Sequence, residues 1–249
     1  MKDSLLNGGA LAGAYGAARG ALKRVSATAV LLTALCGVSV AVASEAAAEE
    51  TVTIAALGDS LTHGYGLPPE EAFPVQLEAW LRGRGHEVTV MNAGVSGDTT
   101  AGGLARLDWT LSPEVDAVIV ELGGNDLLRG IDPAASRANL EAILAELTAR
   151  GLPALIAGLP APRNYGPDFK AAFDGMFPEL AAEHGAVHYE NFMGAITAGG
   201  LEDAAARDAA LKLMQDDGIH PNKAGVAAIV EDIGPYVEEL VARARAAEG

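Results

Sequence analysis

Short apolar runs alternate with longer amphipathic stretches from Thr51 onward, and this alternation limits the fold more than any other feature. Strands that alternate with helices of such length predict a mainly parallel sheet covered by helices on both faces. The predicted strands are Val52 to Leu57, Val88 to Asn92, Ala117 to Leu122, Ala154 to Leu159 and Ala186 to Tyr189. The predicted helices are Pro74 to Arg84, Thr100 to Leu107, Pro133 to Arg150, Asp168 to His184 and Pro221 to about Ala246.

The helix over Pro133 to Arg150 has the clearest signals. Asp132 is a good N-cap, Pro133 suits the first helical position, and Gly151 follows as a stop. The Gly/Pro-rich loop 160–167 follows a predicted strand and is expected to shape a binding site. The stretch 64–69 is expected to form another part of the pocket wall.

The first 43 residues are typical of a secretory signal. Basic residues precede an apolar run, Val25 to Val42, and Ala41-Val42-Ala43 supplies a cleavage site. The basic part is long, so an upstream false start codon and an uncleaved membrane anchor stay open as alternatives. Cys36 could mark a lipoprotein, but the bulky Leu35 before it argues against a lipid anchor.

We therefore expect a signal peptide over residues 1–43, a short linker over 44–50 and one domain over 51–249. Cleavage after Ala43 would remove Cys36, the only cysteine of the chain, and would leave no disulfide. Without residues 1–43, the chain has 13 Lys and Arg against 32 Asp and Glu, a net charge of −19. Such a surface repels nucleic acid and anionic membranes, so neither is an expected partner.

Residues that carry chemistry follow the predicted strands or precede the last helix. Ser60 comes directly after the first strand, and Asp217 and His220 stand three residues apart near the end of the chain. A serine hydroxyl needs a base to take its proton and a carboxylate to orient that base. Together these residues indicate a serine hydrolase, in which Gly58 permits the tight turn that exposes Ser60.

Four sequence blocks resemble those of the SGNH, or GDSL-type, hydrolase superfamily. They are Gly58-Asp59-Ser60-Leu61-Thr62, Asn92-Ala93-Gly94-Val95-Ser96-Gly97-Asp98, Gly123-Gly124-Asn125-Asp126 and Asp217-Gly218-Ile219-His220-Pro221-Asn222. Within the superfamily, the chain is most similar to the bacterial thioesterase I / lysophospholipase / arylesterase group. The resemblance covers the chain from about Thr51 to the last helix. It implies the SGNH hydrolase fold, a flavodoxin-like three-layer α/β/α sandwich with a mainly parallel five-stranded sheet.

The resemblance also implies a role for each site residue. Ser60 is expected to be the nucleophile and His220 the general base. Asp216 is a rival for the orienting acid, but the Asp-x-x-His pattern of the superfamily selects Asp217. The oxyanion hole is expected from the backbone N–H of Ser60, the backbone N–H of Gly94 and the side-chain amide of Asn125.

The other polar residues near these blocks have simpler interpretations. Asp59 and Asp126 are expected to bind backbone amides in their loops. His63 is expected at most at the rim of the pocket. The remaining histidines show no metal-ligand spacing, and no phosphate-binding glycine fingerprint is present, so neither a metal nor a cofactor is expected.

The sequence therefore predicts a monomeric bacterial esterase, periplasmic or secreted, that is not inserted in the membrane after signal cleavage. Its expected substrate is a small-molecule or lipid acyl ester, with aryl esters, thioesters and lysophospholipids all open. A carbohydrate O-acetylesterase of the same superfamily is the alternative, and a non-catalytic binding protein is a more remote one.

Overall fold

The predicted strands form one parallel five-stranded sheet in the computed structural model, which describes residues 50–197 and 203–247. The strands are β1 (Val52–Gly58), β2 (Val88–Gly94), β3 (Ala117–Glu121), β4 (Ala154–Ala157) and β5 (Val187–Tyr189). Their order across the sheet is β2-β1-β3-β4-β5. The predicted signal peptide over 1–43 and residues 44–49 of the predicted linker lie outside the described residues.

Helices connect these strands and cover the sheet. They are α1 (Ser60–His63), α2 (Phe73–Gly83), α3 (Thr100–Ala105), α4 (Leu107–Thr110), α5 (Gly124–Leu128), α6 (Pro133–Ala149), α7 (Pro167–His184), α8 (Gly194–Thr197), α9 (Ala204–Leu211) and α10 (Lys223–Ala247). Short 3₁₀ turns lie at Pro69–Glu71 and Arg163–Tyr165.

The core has one apolar cluster on each face of the sheet. Ile54 and Ala56 of β1 point to the cluster that α2 and α10 complete. Ala55 and Leu57 point to the opposite cluster, which α6 and α7 complete. β1 lies between β2 and β3, and its side chains are apolar on both faces because helices cover both faces of the sheet. The fold is therefore the predicted α/β/α sandwich.

The residues predicted to begin and end α6 do so in the structure. The Asp132 carboxylate accepts the N–H of Ala134 at 3.0 Å, and Pro133 occupies the first helical position. Gly151 follows the helix with φ of 71°, a left-handed conformation that favours glycine.

Two predicted helix limits are wrong. The helix expected over Thr100 to Leu107 is two short helices, because Arg106 leaves the helical conformation between them at φ −108° and ψ 8°. The last helix begins at Lys223, not at Pro221. Asn222 caps it through Ala224 N–H at 3.0 Å, while Pro221 lies in an extended bridge with Met214.

The parallel register brings three strand ends to one edge. Gly58 at the end of β1 is paired with Gly94 at the end of β2 and with Glu121 at the end of β3. The segments that follow these three residues therefore start side by side at the carboxyl edge of the sheet, where open α/β folds bind ligands.

Candidate active site

Ser60 is the first residue of α1 and follows β1 after a single connecting residue, Asp59. The Asp59 carboxylate caps the helix by accepting the N–H of Leu61 at 3.0 Å. The first N–H groups of a helix have no acceptor within the helix, so the Ser60 N–H is left for a ligand at this edge. The turn thus presents the hydroxyl and the N–H of the same residue.

Gly58 is required here for a reason other than the expected one. Its φ is not in the left-handed region, so the turn does not depend on glycine backbone freedom. A Cβ on Gly58 would instead lie 2.0 Å from Thr62 Oγ1 and 2.8 Å from Glu121 Oε2. Glycine is needed because α1 and β3 pack directly against the end of β1.

A chain of hydrogen bonds joins Ser60, His220 and Asp217. His220 Nε2 lies 2.9 Å from Ser60 Oγ, and His220 Nδ1 lies 2.6 Å from Asp217 Oδ2. A carboxylate only accepts, so Nδ1 carries the proton and Nε2 is left as the acceptor for the Ser60 hydroxyl. The structure therefore brings together the three residues that the sequence predicts as a triad.

Asp217 is held in place by the loop that it begins. Its Oδ1 accepts the N–H of Ile219 at 2.9 Å and the N–H of His220 at 3.0 Å. The hydrogen bond from the His220 backbone, followed by those from the His220 ring and the Ile219 backbone, lowers the Asp217 pKa to about 2. Asp217 is thus a carboxylate throughout the neutral range.

Asn125 reaches the same site from the second position of α5. Its side-chain Nδ2 donates to Asp59 Oδ2 at 2.9 Å. An amide nitrogen has two N–H groups, so one remains for a ligand in the cavity that Asn125 lines. Asp59 accepts the expected backbone amide and, in addition, orients Asn125.

Gly94 is not brought into the site, which corrects its predicted oxyanion role. Its N–H donates to the Asn92 side chain at 3.0 Å, and Gly94 is absent from the cavity wall. A Cβ there would lie 2.3 Å from His63 N and 2.9 Å from Asp59 O. Glycine is needed at this position because the backbone of α1, and not a bound substrate, packs directly against it.

Gly97 lines the cavity where Gly94 was expected. It has a left-handed φ of 87°, and its carbonyl accepts from Arg129 Nη2 at 2.7 Å. No acceptor among the described residues takes its N–H. Only the folded position of the turn distinguishes Gly97 from Gly94, since both lie in the same sequence block.

The cavity beside Ser60 has a volume of about 430 Å³. Its wall combines the polar groups described above with apolar side chains: Leu61, Tyr65, Leu127, Leu128, Leu159, Met193 and Ile219. The predicted wall segment 64–69 contributes Tyr65. The loop 160–167 contributes no lining residue; its Tyr165 hydroxyl supports the wall by donating to the Leu127 carbonyl at 2.6 Å.

Tyr65 contacts the histidine directly, and no sequence pattern predicted this contact. The Tyr65 and His220 rings lie 4.6 Å apart between centroids. Gln215 Nε2 donates to the carbonyl of Tyr65 at 2.7 Å and to that of Pro221 at 2.9 Å, which ties the two loops together. The signal in the sequence was an aromatic residue close after the serine, but its partner lies 155 residues away.

Arg106 is a second missed residue. Its guanidinium donates to the Gly58 carbonyl at 2.9 Å, to the Ala93 carbonyl at 2.8 Å and to Asp98 Oδ2 at 2.6 Å. It therefore holds the ends of β1 and β2 together beneath the loops that carry Ser60 and Gly97.

Asp126 has a structural role: it binds groups of its neighbouring loops, as its position in the sequence predicts. Its buried carboxylate accepts Thr100 N–H at 2.8 Å, and also the hydroxyls of Thr100 at 2.6 Å and Ser136 at 2.8 Å. It thereby joins the starts of α3 and α6.

Glu121 places a buried carboxyl group directly behind the serine turn. It is 3% exposed, and its Oε2 accepts the Thr62 hydroxyl at 2.8 Å. Burial, and then the charge of Asp59, raises the Glu121 pKa well above its usual value. Burial also raises the pKa of Asp59. The folded protein therefore binds a proton at Glu121 more tightly than the unfolded chain does.

A substitution of Glu121→Gln is expected to raise stability increasingly as the pH rises. As the pH rises from the unfolded pKa of about 4.3 toward the raised folded pKa, the free energy of unfolding of the wild type falls, because ionising the buried carboxyl is costly. Glutamine has no proton to lose. We expect the Tm difference between variant and wild type, from calorimetry, to grow by at least about 2 °C across this window. The variant of an exposed residue, Glu141→Gln, is measured as the control. A Tm difference for Glu121→Gln that grows no more with pH than that of Glu141→Gln would contradict the expectation.

His63 and His86 have hydrogen-bond partners outside the triad. His63 is exposed, and its Nδ1 lies 3.1 Å from the Gly94 carbonyl. His86 pairs with Glu238 at 2.9 Å. Within residues 50–197 and 203–247, no three His, Cys, Asp or Glu side chains are grouped so that they could hold a metal ion. No helix in the same ranges has the length and apolarity to span a membrane.

The family comparison extends over most of the chain. The profile of the GDSL-like Lipase/Acylhydrolase family matches residues 56–228. The "Esterase TesA" of Pseudomonas aeruginosa is 35% identical over 212 residues, which are 85% of this chain and 98% of that protein. The "Thioesterase 1/protease 1/lysophospholipase L1" of Escherichia coli (strain K12) is 36% identical over 200 residues, which are 80% of this chain and 84% of that protein.

Solved structures show the same similarity. A crystal structure of TesA has a TM-score of 0.66 and 34% identity, and the match covers 76% of this chain and 99% of that one. The structure of AlinE4, described as an SGNH-hydrolase family esterase, has a TM-score of 0.60 and 42% identity, over 76% of this chain and 96% of that one. The predicted fold class and superfamily are thereby confirmed.

Proposed function

The chain belongs to the GDSL-like lipase/acylhydrolase family and is an ester hydrolase, and we propose that it cleaves carboxylic esters through an acyl-enzyme on Ser60. The observation that carries this proposal is the hydrogen-bond chain from Asp217 through His220 to Ser60, at 2.6 and 2.9 Å. It supplies the nucleophile, the base and the orienting carboxylate in one arrangement.

In the first half of the reaction, Ser60 Oγ attacks the ester carbonyl carbon while its proton passes to His220 Nε2. Asp217 stabilises the imidazolium that forms, because its low pKa keeps it ionised. The tetrahedral intermediate collapses when His220 returns the proton to the departing alcohol oxygen. In the second half, water attacks the acyl-enzyme with His220 again as the base, and the acid is released.

Three donors support oxyanion stabilisation. They are the N–H of Ser60 at the start of α1, the free amide N–H of Asn125 and, in place of Gly94, the backbone N–H of Gly97. All three residues line the same cavity. Each donor of this kind contributes roughly 10²–10³ in rate. The triad and the oxyanion donors all belong to the same chain, so the proposed chemistry needs no residue from a second copy.

The substrate is a small-molecule or lipid acyl ester. The apolar side chains around Ser60, such as Leu127, Leu128 and Leu159, support an acyl group longer than acetyl, which argues against a dedicated O-acetylesterase. Aryl esters, thioesters and lysophospholipids are the classes that the names of the relatives offer. The export signal predicted over residues 1–43 supports a periplasmic or secreted location.

Covalent labelling with an alkyl fluorophosphonate tests the proposal. Ser60 Oγ is expected to displace fluoride and keep the phosphonyl group, so the intact mass rises by one adduct and peptide mapping places it on Ser60. Ser96 lines the same cavity, so Ser96→Ala, which should still label, is the matched control for Ser60→Ala, which should not. Labelling of the Ser60→Ala variant, or of another residue in the wild type, would overturn the proposal.

A further inference from the structure

A second apolar groove adjoins the cavity that holds Ser60. It has a volume of about 310 Å³, and its wall includes Met193, Ile196, Leu211, Met214, Gly218 and Ile219. Met193 and Ile219 also line the Ser60 cavity, so the two spaces meet at these side chains. Nothing in the proposed acyl-transfer chemistry uses this groove.

One wall of the groove is rigidly connected to the general base. Ile219 precedes His220, and its N–H donates to Asp217 Oδ1 at 2.9 Å. Gln215 N–H donates to the His220 carbonyl at 2.8 Å, and Gly218 N–H donates to the Gln215 carbonyl at 3.0 Å. The groove therefore begins on the His220 side of the site and keeps a set position relative to the ring.

The chemistry of ester cleavage decides which part of a substrate lies on that side. His220 must reach the departing oxygen to return its proton, so the alcohol portion lies next to the imidazole. The oxyanion donor Asn125 belongs to α5 with Leu127 and Leu128, and Arg129 at the end of α5 binds the carbonyl of the other donor, Gly97. An alcohol portion that extends past Ile219 enters the second groove.

The groove suits an apolar group and not a charged one. Its polar side chains, Thr197 and Arg207, already interact within the chain, Thr197 through a hydroxyl that donates to the Met193 carbonyl at 3.0 Å. The net charge of −16 also disfavours a phosphate-bearing leaving group. Lysophospholipids and nucleotide-linked thioesters are the substrates whose leaving groups carry phosphate, so the groove favours neither of them.

We infer that this groove is a leaving-group subsite for esters of aryl and long-chain alkyl alcohols. The inference rests on the proposed acyl-enzyme on Ser60 and narrows its substrate class. Esters of apolar alcohols bury their alcohol portion against Met193, Leu211 and Ile219, which lowers the free energy of the transition state as apolar area leaves water. Ethyl esters are too short to use the groove.

The test compares the alcohol portion at a constant acyl group. For 2-naphthyl and ethyl butyrate, kcat/KM is measured with the full chain and with Leu211→Asp, a change at a side chain that is 54% exposed on α9. We expect the 2-naphthyl to ethyl ratio of kcat/KM to fall about tenfold in the variant. Weaker product inhibition by 2-naphthol should accompany it.

Two control variants locate the effect. Trp109, 91% exposed on α4, lines neither space, so Trp109→Asp should leave both rates and their ratio unchanged. Leu128, 67% exposed, lines only the Ser60 cavity, so Leu128→Asp should alter the dependence on acyl length and not the alcohol ratio.

If Leu211→Asp leaves the 2-naphthyl to ethyl ratio of kcat/KM unchanged, the subsite assignment is wrong. It is also wrong if Leu211→Asp alters only the dependence of kcat/KM on acyl-chain length. Fluorophosphonate labelling keeps this failure distinct from failure of the acyl-enzyme proposal. If Ser60 labels in both wild type and Leu211→Asp while the ratio is unchanged, only the subsite is wrong. If wild-type Ser60 does not label, the acyl-enzyme proposal fails, and the subsite fails with it.

Discussion

Replacing Ser60 by alanine is expected to lower kcat/KM for a chromogenic nitrophenyl ester by at least about 10⁴-fold. In the proposed mechanism the hydroxyl oxygen is the attacking atom, and residual catalysis from the remaining donors and from binding is small in comparison. The fold should be unaffected, because alanine fits the space of serine and the lost hydrogen bond to His220 Nε2 lies at the cavity wall and not in the core. Far-UV circular dichroism and Tm should match those of the wild type.

The matched control for this prediction is Ser96→Ala. Ser96 is a hydroxyl in the same cavity wall but has no bond to His220, so its removal should change kcat/KM by less than about tenfold. Turnover retained by Ser60→Ala, or an equal loss in Ser96→Ala, would remove Ser60 from the nucleophile role.

His220→Ala is expected to cost about as much as Ser60→Ala, and Asp217→Ala about ten- to a hundredfold less. His220 Nε2 is the hydrogen-bond partner of Ser60 Oγ at 2.9 Å, so its removal takes away the base of the proposed mechanism. Without Asp217, the ring keeps its contact with Tyr65 at 4.6 Å and its bond to Ser60 at 2.9 Å, so part of its orientation survives. Steady-state kinetics of the two variants with one ester would measure the difference.

Asp216 supplies the control for the orienting acid. It neighbours Asp217 and is exposed, while the bonds to the His220 ring and to the loop amides are made by Asp217. Asp216→Ala should therefore leave kcat/KM within about twofold of the wild type. Equal losses in Asp217→Ala and His220→Ala, or a larger loss in Asp216→Ala than in Asp217→Ala, would contradict these roles.

The local signals of the chain were enough for the architecture. The alternation of apolar runs with amphipathic stretches predicted five strands in a mainly parallel sheet. The structure has these five strands, all parallel, with ends shifted by one or two residues. Asp132, Pro133 and Gly151 marked the limits of α6 through the hydrogen bonds and dihedral angles of their own segment. Such information is local, so it can be read from neighbouring residues.

Ser60, Asp217 and His220 were also predicted from the sequence by residue type and spacing, and Asn125 was predicted from the resemblance to the SGNH hydrolases. The choice between Gly94 and Gly97 was not. Both belong to one block, and which of the two N–H groups faces the cavity depends on the Asn92 side chain and on how α1 crosses β2. That crossing is a contact between distant segments, which no local pattern specifies.

The sequence alone thus determined the fold class, the superfamily and the chemical groups of the site, since these depend on periodicity and on residue type at set spacing. The tertiary structure alone decided the partners of those groups. It placed Tyr65 against His220, Arg106 under two strand ends, Glu121 behind the serine turn and Ile219 between two apolar spaces. Each of these contacts joins residues far apart in the chain, and only packing at the carboxyl edge of the sheet brings them together.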